Sequence, residues 1–547
     1  MYLRDLPDDI LRLVFKFALE RHDSTAVAFR ANRQLLTVCR RWRYLALPAV
    51  HSGLVVRYGC SPDGRCGSEY CRINTADGGP HAAEAATNLG LIVAAGCVRT
   101  VSSVEIAVYC AASLFPGLDA VLRLMHTAAG VWRGARRLEI SIYPDSRMFD
   151  EDGPDAADYG DQIEKASAML FSTMPGVRRV LFGGAEINPV AWEFCGRLAA
   201  LYSNQLQDVY SLYPIVVPPE CTFRQLRDTC IYYRDGAGYQ HPRVVSTKLV
   251  SLGLLGWPSN HSWAPFSAGG DTKVIEFLNL KELDVVYFDT AATSSIDVRH
   301  RDGHPWKIRF PKLERANIFC LQNICPLLEY AVFPRRIEKL DIRATASMFL
   351  QMSEMLLPAA RRLKIGIASG ANGNPAVLAA ANRILDSAQG SETVCLDVDD
   401  KSLPVFPSSI TCAPLTELLI RADTGVDTVL QLIQEVPGLT SLKIHSLALS
   451  DTHTDLLVPG LHEAHLVAPL NTSVRKLRIF AKYEELELGL IVPLVKYLLL
   501  RIPELIKVTL REDPNGSLAQ FVWAYAARYP HLKDILFTFQ EDNGRSP

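Results

Sequence analysis

Neither sign of charge dominates this sequence: 57 Lys and Arg stand against 59 Asp and Glu, a net charge of -2. There is no global field to recruit nucleic acid or an anionic membrane, so neither is expected as a partner and any binding has to be local. Long apolar runs are lacking too. The longest near the C-terminus, LGLIVPLVKYLLL at 488–500, is cut by Pro493 and Lys496 and is too short to cross a bilayer. Met1 leads into charged, helix-starting residues without an apolar core region, so no secretory leader is expected. These absences together predict a soluble protein, cytoplasmic and/or nuclear. Its 13 cysteines then read as reduced thiols, and the Asn-x-Ser sequons at Asn260, Asn471 and Asn515 carry little meaning.

Catalytic signatures are missing as well. The sequence holds no Walker loop, no His-Glu-x-x-His and no Gly-x-Ser-x-Gly. GIASGANGNP at 366–375 groups turn residues without the dinucleotide fingerprint. Cys60, Cys66 and Cys71, with His51 and His81 nearby, are spaced more widely than paired zinc ligands. Asp397, Asp399 and Asp400 read as solvated carboxylates at a strand end, without the oxygens a cation needs. No catalytic residue, cofactor or metal is assigned, and no enzymatic activity is expected of this chain.

What is present is length and apolar material. A chain of 547 residues, 48% hydrophobic and 21% charged, exceeds one ordinary core, which predicts several domains or a repeat array. At the N-terminus, Asp5 can cap a helix whose first turn holds Pro7, Asp8 and Asp9. Ile10, Leu11, Val14, Phe15 and Phe17 then recur at helical spacing. A second stripe carries Leu35, Leu36, Val38, Cys39, Trp42 and Leu45 among Arg33, Arg40, Arg41 and Arg43. So few residues cannot bury this much Leu, Phe and Trp among themselves, so part of the face must meet another surface. That surface is either the rest of the chain or a partner.

The order LPDDILRLVFKFA, a polar interval, then LLTVCRRWRYLALP resembles an F-box over the first 50 residues, although the frequent closing Trp is replaced by LPAVHSGLVVRY. The resemblance implies docking onto the Skp adaptor, and through it a cullin, of a ubiquitin ligase. Matched position by position, it implies Leu6, Pro7, Ile10, Leu11, Val14, Phe15, Leu36, Val38, Cys39 and Trp42 as adaptor-facing residues.

Further on, one phrase returns: MPGVRRVLF (174–182), FPKLERANI (310–318), FPRRIEKLDI (333–342), PAARRLKIGI (358–367), APLTELLI (413–420), VPGLTSLKI (436–444), IPELIKVTL (502–510) and YPHLKDILF (529–537). Weaker copies lie at 101–108, 135–142, 278–286 and 473–480. A turn residue is followed by an apolar residue, two mostly polar ones, and an apolar-x-apolar tail suited to a short strand. Stretches such as GVDTVLQLIQEV and LIVPLVKYLLLR between copies are helical in period, and Pro at the junction ends the helix.

Such units cannot bury their own apolar faces and must stack. The expected fold is therefore α/β: a helical F-box over 1–50, an irregular leucine-rich-repeat solenoid with a parallel curved sheet and outer helices over 51–540, and a disordered tail over 541–547. HSGLVVRY (51–58) is expected to supply the first strand. This resembles the leucine-rich-repeat F-box proteins, in particular divergent fungal members, without their usual Asn or Cys after the strand, so the turns must be held in another way. The acidic segment 145–162 and the Trp257, Trp263 and Phe266 segment (254–273) read as loops on the array. The functional expectation is a substrate receptor for an unknown target protein. The alternative is a repeat scaffold, unconnected with ubiquitination, whose N-terminal helices only cap the first repeat.

Overall fold

Buried residues recur along the chain as triplets spaced i, i+3, i+5, and this spacing builds the fold. Val101, Val104 and Ile106 form one, Val177, Val180 and Phe182 another, and Leu439, Leu442 and Ile444 a third. The first residue fills the turn before a strand. The other two alternate with polar neighbours and so share one face of it.

The computed structural model describes residues 6–20, 39–58, 85–109, 114–143, 159–184, 189–218, 220–232, 243–255, 266, 274–287, 307–320, 331–345, 350, 358–368, 376, 379, 380, 383, 390–398, 415–448, 469–481, 488–511, 517–529 and 532–540. Leu36, Val38, Cys60, Cys66, Cys71, His81, Trp257, Trp263, Asp399, Asp400, residues 145–158 and the expected tail at 541–547 lie outside the described residues. The chain packs as two compact units, Met1–Gly256 with Ser262–Leu278, and Trp257–His261 with Asn279–Pro547.

The first unit contains α1 (Asp8–Glu20), α2 (Arg40–Val50), β1 (Gly53–Tyr58), β2 (Ala85–Thr87), α3 (Leu89–Ala94), β3 (Ser103–Tyr109), α4 (Leu114–Ala129), β4 (Arg137–Tyr143), α5 (Gly160–Thr173), β5 (Arg179–Gly184), α6 (Pro189–Leu201), β6 (Asp208–Pro214), β7 (Thr222–Phe223), β8 (Asp228–Tyr232), β9 (Arg243–Val244), β10 (Ser251–Leu255) and β11 (Val274–Glu276). Strands β1, β3, β4, β5, β6, β8 and β10 pair in that order, all parallel, and β2 adds antiparallel to β1. Ile106, Ile140 and Phe182 stand in register, so each core side chain rests on its counterpart one strand away. Helices α4, α5 and α6 are the crossovers that parallel pairing requires. They bury Leu118, Val121, Leu122 and Met125, then Ile163 and Leu170, then Phe194 and Leu198. Residues 160–162, expected within the acidic loop, belong instead to the first turn of α5.

The second unit contains β12 (Glu282–Tyr287), β13 (Lys307–Arg309), β14 (Arg315–Cys320), β15 (Ala331–Val332), β16 (Arg336–Thr345), β17 (Ala359–Ala368), β18 (Thr393–Val398), β19 (Glu417–Gly425), α7 (Val426–Glu435), β20 (Ser441–Ala448), β21 (Lys476–Ala481), α8 (Leu488–Arg501), β22 (Lys507–Arg511), α9 (Ser517–Ala526) and β23 (Leu536–Gln540). Strands β12, β14 and β16 through β23 pair parallel in sequence order. Leu340, Leu363, Val394, Leu418, Leu442, Leu477, Val508 and Phe537 form one continuous row across them. The fold is thus α/β, with long runs of parallel strands and intervening helices. No helix among the described residues is long and apolar enough to cross a membrane.

The turns are held by bonds handed from one repeat to the next. In the first unit the amide ahead of each strand donates to the carbonyl at the equivalent place one strand earlier: Arg136 to Ser102, Arg178 to Arg136, Gln207 to Arg178, Arg227 to Gln207 and Val250 to Arg227, all at 2.7–2.8 Å. In the second, Thr416, Thr440, Arg475 and Ile506 do the same at 2.8–2.9 Å, and the first amide of β23, that of Leu536, donates to Ile506 O at 2.8 Å. The Thr416 and Thr440 hydroxyls add parallel bonds to Glu392 O and Thr416 O, at 3.0 and 2.9 Å. Backbone groups thereby take over the work expected of a turn Asn, as buried amides require.

Candidate functional site

The N-terminal helices fit the start of the sheet without a linker. Only His51 and Ser52 separate α2 from β1, and the Ser52 carbonyl accepts from the Ser102 and Ser103 amides at 2.8 and 3.2 Å. Against each other, α1 and α2 bury Leu11, Phe15, Leu45 and Ala46, with Leu6, Trp42 and Val50 partly buried around them. The Phe15 and Trp42 rings meet edge to face, centroids 5.1 Å apart, which aromatic pairs favour.

Two polar contacts fix the geometry. Arg41 on α2 reaches back to Asp8, Nε and Nη2 lying 2.9 and 2.7 Å from Oδ1, and Nη2 also donates to the Leu6 carbonyl at 2.6 Å. Cys39 sits where an N-cap Ser or Thr would, its Sγ accepting from the Trp42 amide at 3.4 Å.

The residues implied by the F-box resemblance therefore separate into two sets. Leu11 and Phe15 lie inside the helix pair, and Leu6 and Trp42 close its rim. Pro7, Ile10, Val14 and Cys39 are exposed. Two exposed apolar residues were not assigned from the sequence: Leu13, 50% exposed, lies beside Ile10 at 40% and Val14 at 39% on α1, and Tyr44, 71% exposed, is on α2. Ile10, Leu13 and Val14 stand at i, i+3 and i+4, which is one side of α1. Leu13 follows the same helical period as its neighbours and was legible by that signal alone.

In the second unit, the strand face opposite the buried triplets is charged. Asp397 is buried on β18 and meets three cations: Arg343 Nη2 at 3.1 Å, Arg421 Nη1 at 3.6 Å and Lys364 Nζ at 3.7 Å. This corrects the expectation of a solvated strand-end carboxylate: the register carries Asp397 into the middle of the charged face. Arg343 reaches it across Gly366, where a Cβ would come within 3.1 Å of its Cγ and Nε. Lys364 is also 3.6 Å from Asp341, and Lys443 pairs with Glu417.

Toward β22 the balance becomes positive. The Arg478 and Arg511 guanidinium carbons lie 4.5 and 5.5 Å from the Phe480 ring centroid. His445 meets the same ring edge to face at 5.6 Å. Burial, then Arg478, Arg421 and Arg511, pull His445 down to about 4, and Asp397 acts the other way. Burial and the neighbouring Arg421 also lower Arg478.

Among the described residues no group of His, Cys, Asp and Glu could hold a metal ion. Phe266 is buried against Phe277, with centroids 5.5 Å apart. No model of a known protein family matches the chain, and no curated protein matches it.

Proposed function

We propose that this chain is a substrate receptor of a Skp, cullin and F-box ubiquitin ligase, working in the cytoplasm and/or nucleus. In this reading α1 and α2 are an F-box that docks the Skp adaptor, and the stacked strands are an irregular leucine-rich-repeat solenoid that binds a target protein. The chain does no chemistry itself. It raises the target's effective concentration beside the ligase machinery. The observation that carries the reading is the outer face of α1: Ile10, Leu13 and Val14 remain exposed although Leu11, Phe15, Leu45 and Ala46 already fill the inside of the helix pair. Large apolar side chains exposed together on one helix face mark an interaction site.

The direct run of α2 into β1 favours the second reading, a capped scaffold without a ligase. Pull-down of the Skp adaptor with the wild type and with Leu13→Glu and Val14→Glu separates the two. Both variants change exposed positions, so circular dichroism should be unchanged while adaptor recovery falls at least about tenfold. Failure of the wild type to recover adaptor rejects the receptor reading and leaves the cap.

A further inference from the structure

We propose that the strand face of β5 and β6 opposite the buried triplets, around Tyr210 and Leu212 and beside the carboxylates Asp208 and Asp228, binds an extended polypeptide segment carrying an apolar residue with Arg or Lys two positions away. That such a segment belongs to a ligase target rests on the receptor reading above; the binding itself rests on the geometry alone.

Strand β6 turns two large side chains away from the core. Val209, Ser211 and Tyr213 are buried, and Tyr210, 44% exposed, and Leu212, 46%, alternate with them. The register also breaks here. Pairs β3–β4, β4–β5, β5–β6 and β8–β10 run without a shift, whereas β6 advances four residues from Tyr210 to Pro214 while β8 advances two from Cys230 to Tyr232. Irregularities of this kind re-aim side chains and gather beside functional sites. The Ser211 hydroxyl holds the irregular stretch by donating to Tyr213 O at 2.5 Å. Leu181 on β5, partly buried, pairs with Tyr210 and widens the apolar surface.

The charge beside this surface defines the occupant. Asp208 lies two residues before Tyr210 on the same side of β6, about 6.6 Å along the strand, and Asp228 pairs with Asp208 in register. Arg179 Nε is 2.6 Å from Asp208 Oδ2. Partial burial and the Asp208 carboxylate raise Asp228, and Arg179 and Arg227 offset this only in part. The turns ahead of β5, β6, β8 and β10 are all described, and the cations they add, Arg178, Arg227 and Lys248, leave Asp228 raised. Two carboxylates held in register cost free energy that a cation from outside relieves. Beyond Leu181 the Tyr210 row continues with Glu139, paired with Arg137 at 3.2 Å, and Glu105. In an extended segment, side chains at i and i+2 point the same way at the same spacing, so an apolar residue over Tyr210 and Leu212 sets an Arg or Lys over Asp208 and Asp228. A second copy of the chain on a two-fold axis would set these carboxylates against each other.

The test is fluorescence anisotropy of the full-length chain with labelled, amidated Arg-Ala-Leu-Ala-Arg, Glu-Ala-Leu-Ala-Glu and Arg-Ala-Ala-Ala-Arg, symmetric peptides for which chain direction does not matter. The first should bind at least about tenfold more tightly than either of the others. Leu212→Ala should weaken it about fivefold, and Asp228→Lys at least about tenfold while turning the preference toward the Glu peptide. Asp534→Lys, at an exposed position in the second unit, should leave it unchanged. Should a variant unfold, photo-crosslinking of the wild type with Arg-Ala-photoleucine-Ala-Arg locates the site: the label should fall in the tryptic fragment Leu198–Arg224, which contains β6. No saturable binding of the first peptide, equal binding of all three, an unchanged preference in Asp228→Lys, or a label confined to other fragments overturns the site. Adaptor pull-down on the same samples keeps the two readings apart: failure to recover adaptor while the peptides are still discriminated rejects the receptor alone, and the reverse outcome rejects this site alone.

Discussion

Arg41 holds Asp8 across the two halves of the N-terminal motif, with Nη2 2.7 Å from Oδ1. Thirty-three residues separate the pair in sequence, and the same guanidinium also takes the Leu6 carbonyl. Both side chains are about half exposed, so the ion pair contributes no more than about 1 kcal/mol. Its effect is local: it ties the first turn of α1 to the first turn of α2. Arg41→Ala should speed hydrogen exchange of the α1 amides about fivefold, the equivalent of roughly 1 kcal/mol of local opening. Exchange in β3 to β6 should not change. Unaltered exchange in α1 would show that packing of Leu11 and Phe15 alone fixes the helix.

How far the sequence reveals this fold depends on the residue at each repeating position. Where a wholly apolar triplet follows a Pro, as in Leu415, Leu418 and Ile420, the phrase is visible in the sequence and the strand lies where expected, whereas the equally apolar Leu249, Leu252 and Leu254 of β10 lack that Pro. No copy of the phrase marks the strands β6, β8, β10 and β18. At three of them a polar side chain fills a buried slot, Ser211 in β6, Thr229 in β8 and Ser391 before β18. The Ser211 hydroxyl donates locally to Tyr213 O and that of Ser391 to Ala360 O one strand away, contacts that no apolar period reveals. In the last repeat Phe537, not Ile535, pairs with Val508, a slip of two residues from the phrase. A slip of two keeps the apolar face inward, so the pattern permits it. The exposed apolar face of α1 was legible as a helix stripe, yet which residues face inward depends on how α1 meets α2. The arginine cluster was invisible, because register brings together residues about 30 positions apart.

Asn471 binds the end of α7 to the start of β21. Its Nδ2 donates to Ile433 O and Val436 O at 2.7 and 3.0 Å, and its Oδ1 accepts from the Ser473 and Val474 amides at 2.6 and 3.3 Å. The side chain is buried, so its place in a sequon has no bearing on the folded protein. Asn471→Ala leaves buried carbonyls and amides unsatisfied and should cost about 2–4 kcal/mol. Asn471→Asp turns two donors into acceptors facing carbonyls and should cost at least as much. Urea denaturation of both variants checks this, and a loss below about 0.5 kcal/mol would mean that the turn re-forms without the amide.

Gly196 lets backbone pass directly over α6. A Cβ there would lie 1.7 Å from Val216 O and 2.3 Å from Val216 C, in a segment whose Val216 amide donates to Trp192 O at 3.1 Å. Relief requires moving main chain, so Gly196→Ala should destabilise by more than about 3 kcal/mol. In α3 the contrast is complete: a Cβ at Gly90 meets nothing within 4 Å. Gly90→Ala should stabilise by about 0.5–1 kcal/mol through helix propensity. Thermal melts of the two variants should move in opposite directions, and a tolerated Gly196→Ala would show that the 215–217 segment can lift away.

His445 gives the charged face a pH signature whose sign follows from its surroundings. Burial, Arg478, Arg421 and Arg511 disfavour the imidazolium, holding the folded-state pKa at about 4 against 6.5 in the unfolded chain, while Asp397 partly opposes them. The unfolded state therefore takes up a proton first as pH falls. The stabilising effect is complete above about pH 6.5 and is lost progressively down to about 4. His445→Gln has no proton to gain at this position. The melting temperature of the wild type should accordingly fall relative to His445→Gln between pH 6.5 and 4.5, with a constant difference between pH 7 and 8. A difference that stayed constant across the acid range would mean that Asp397 already balances the charge on His445.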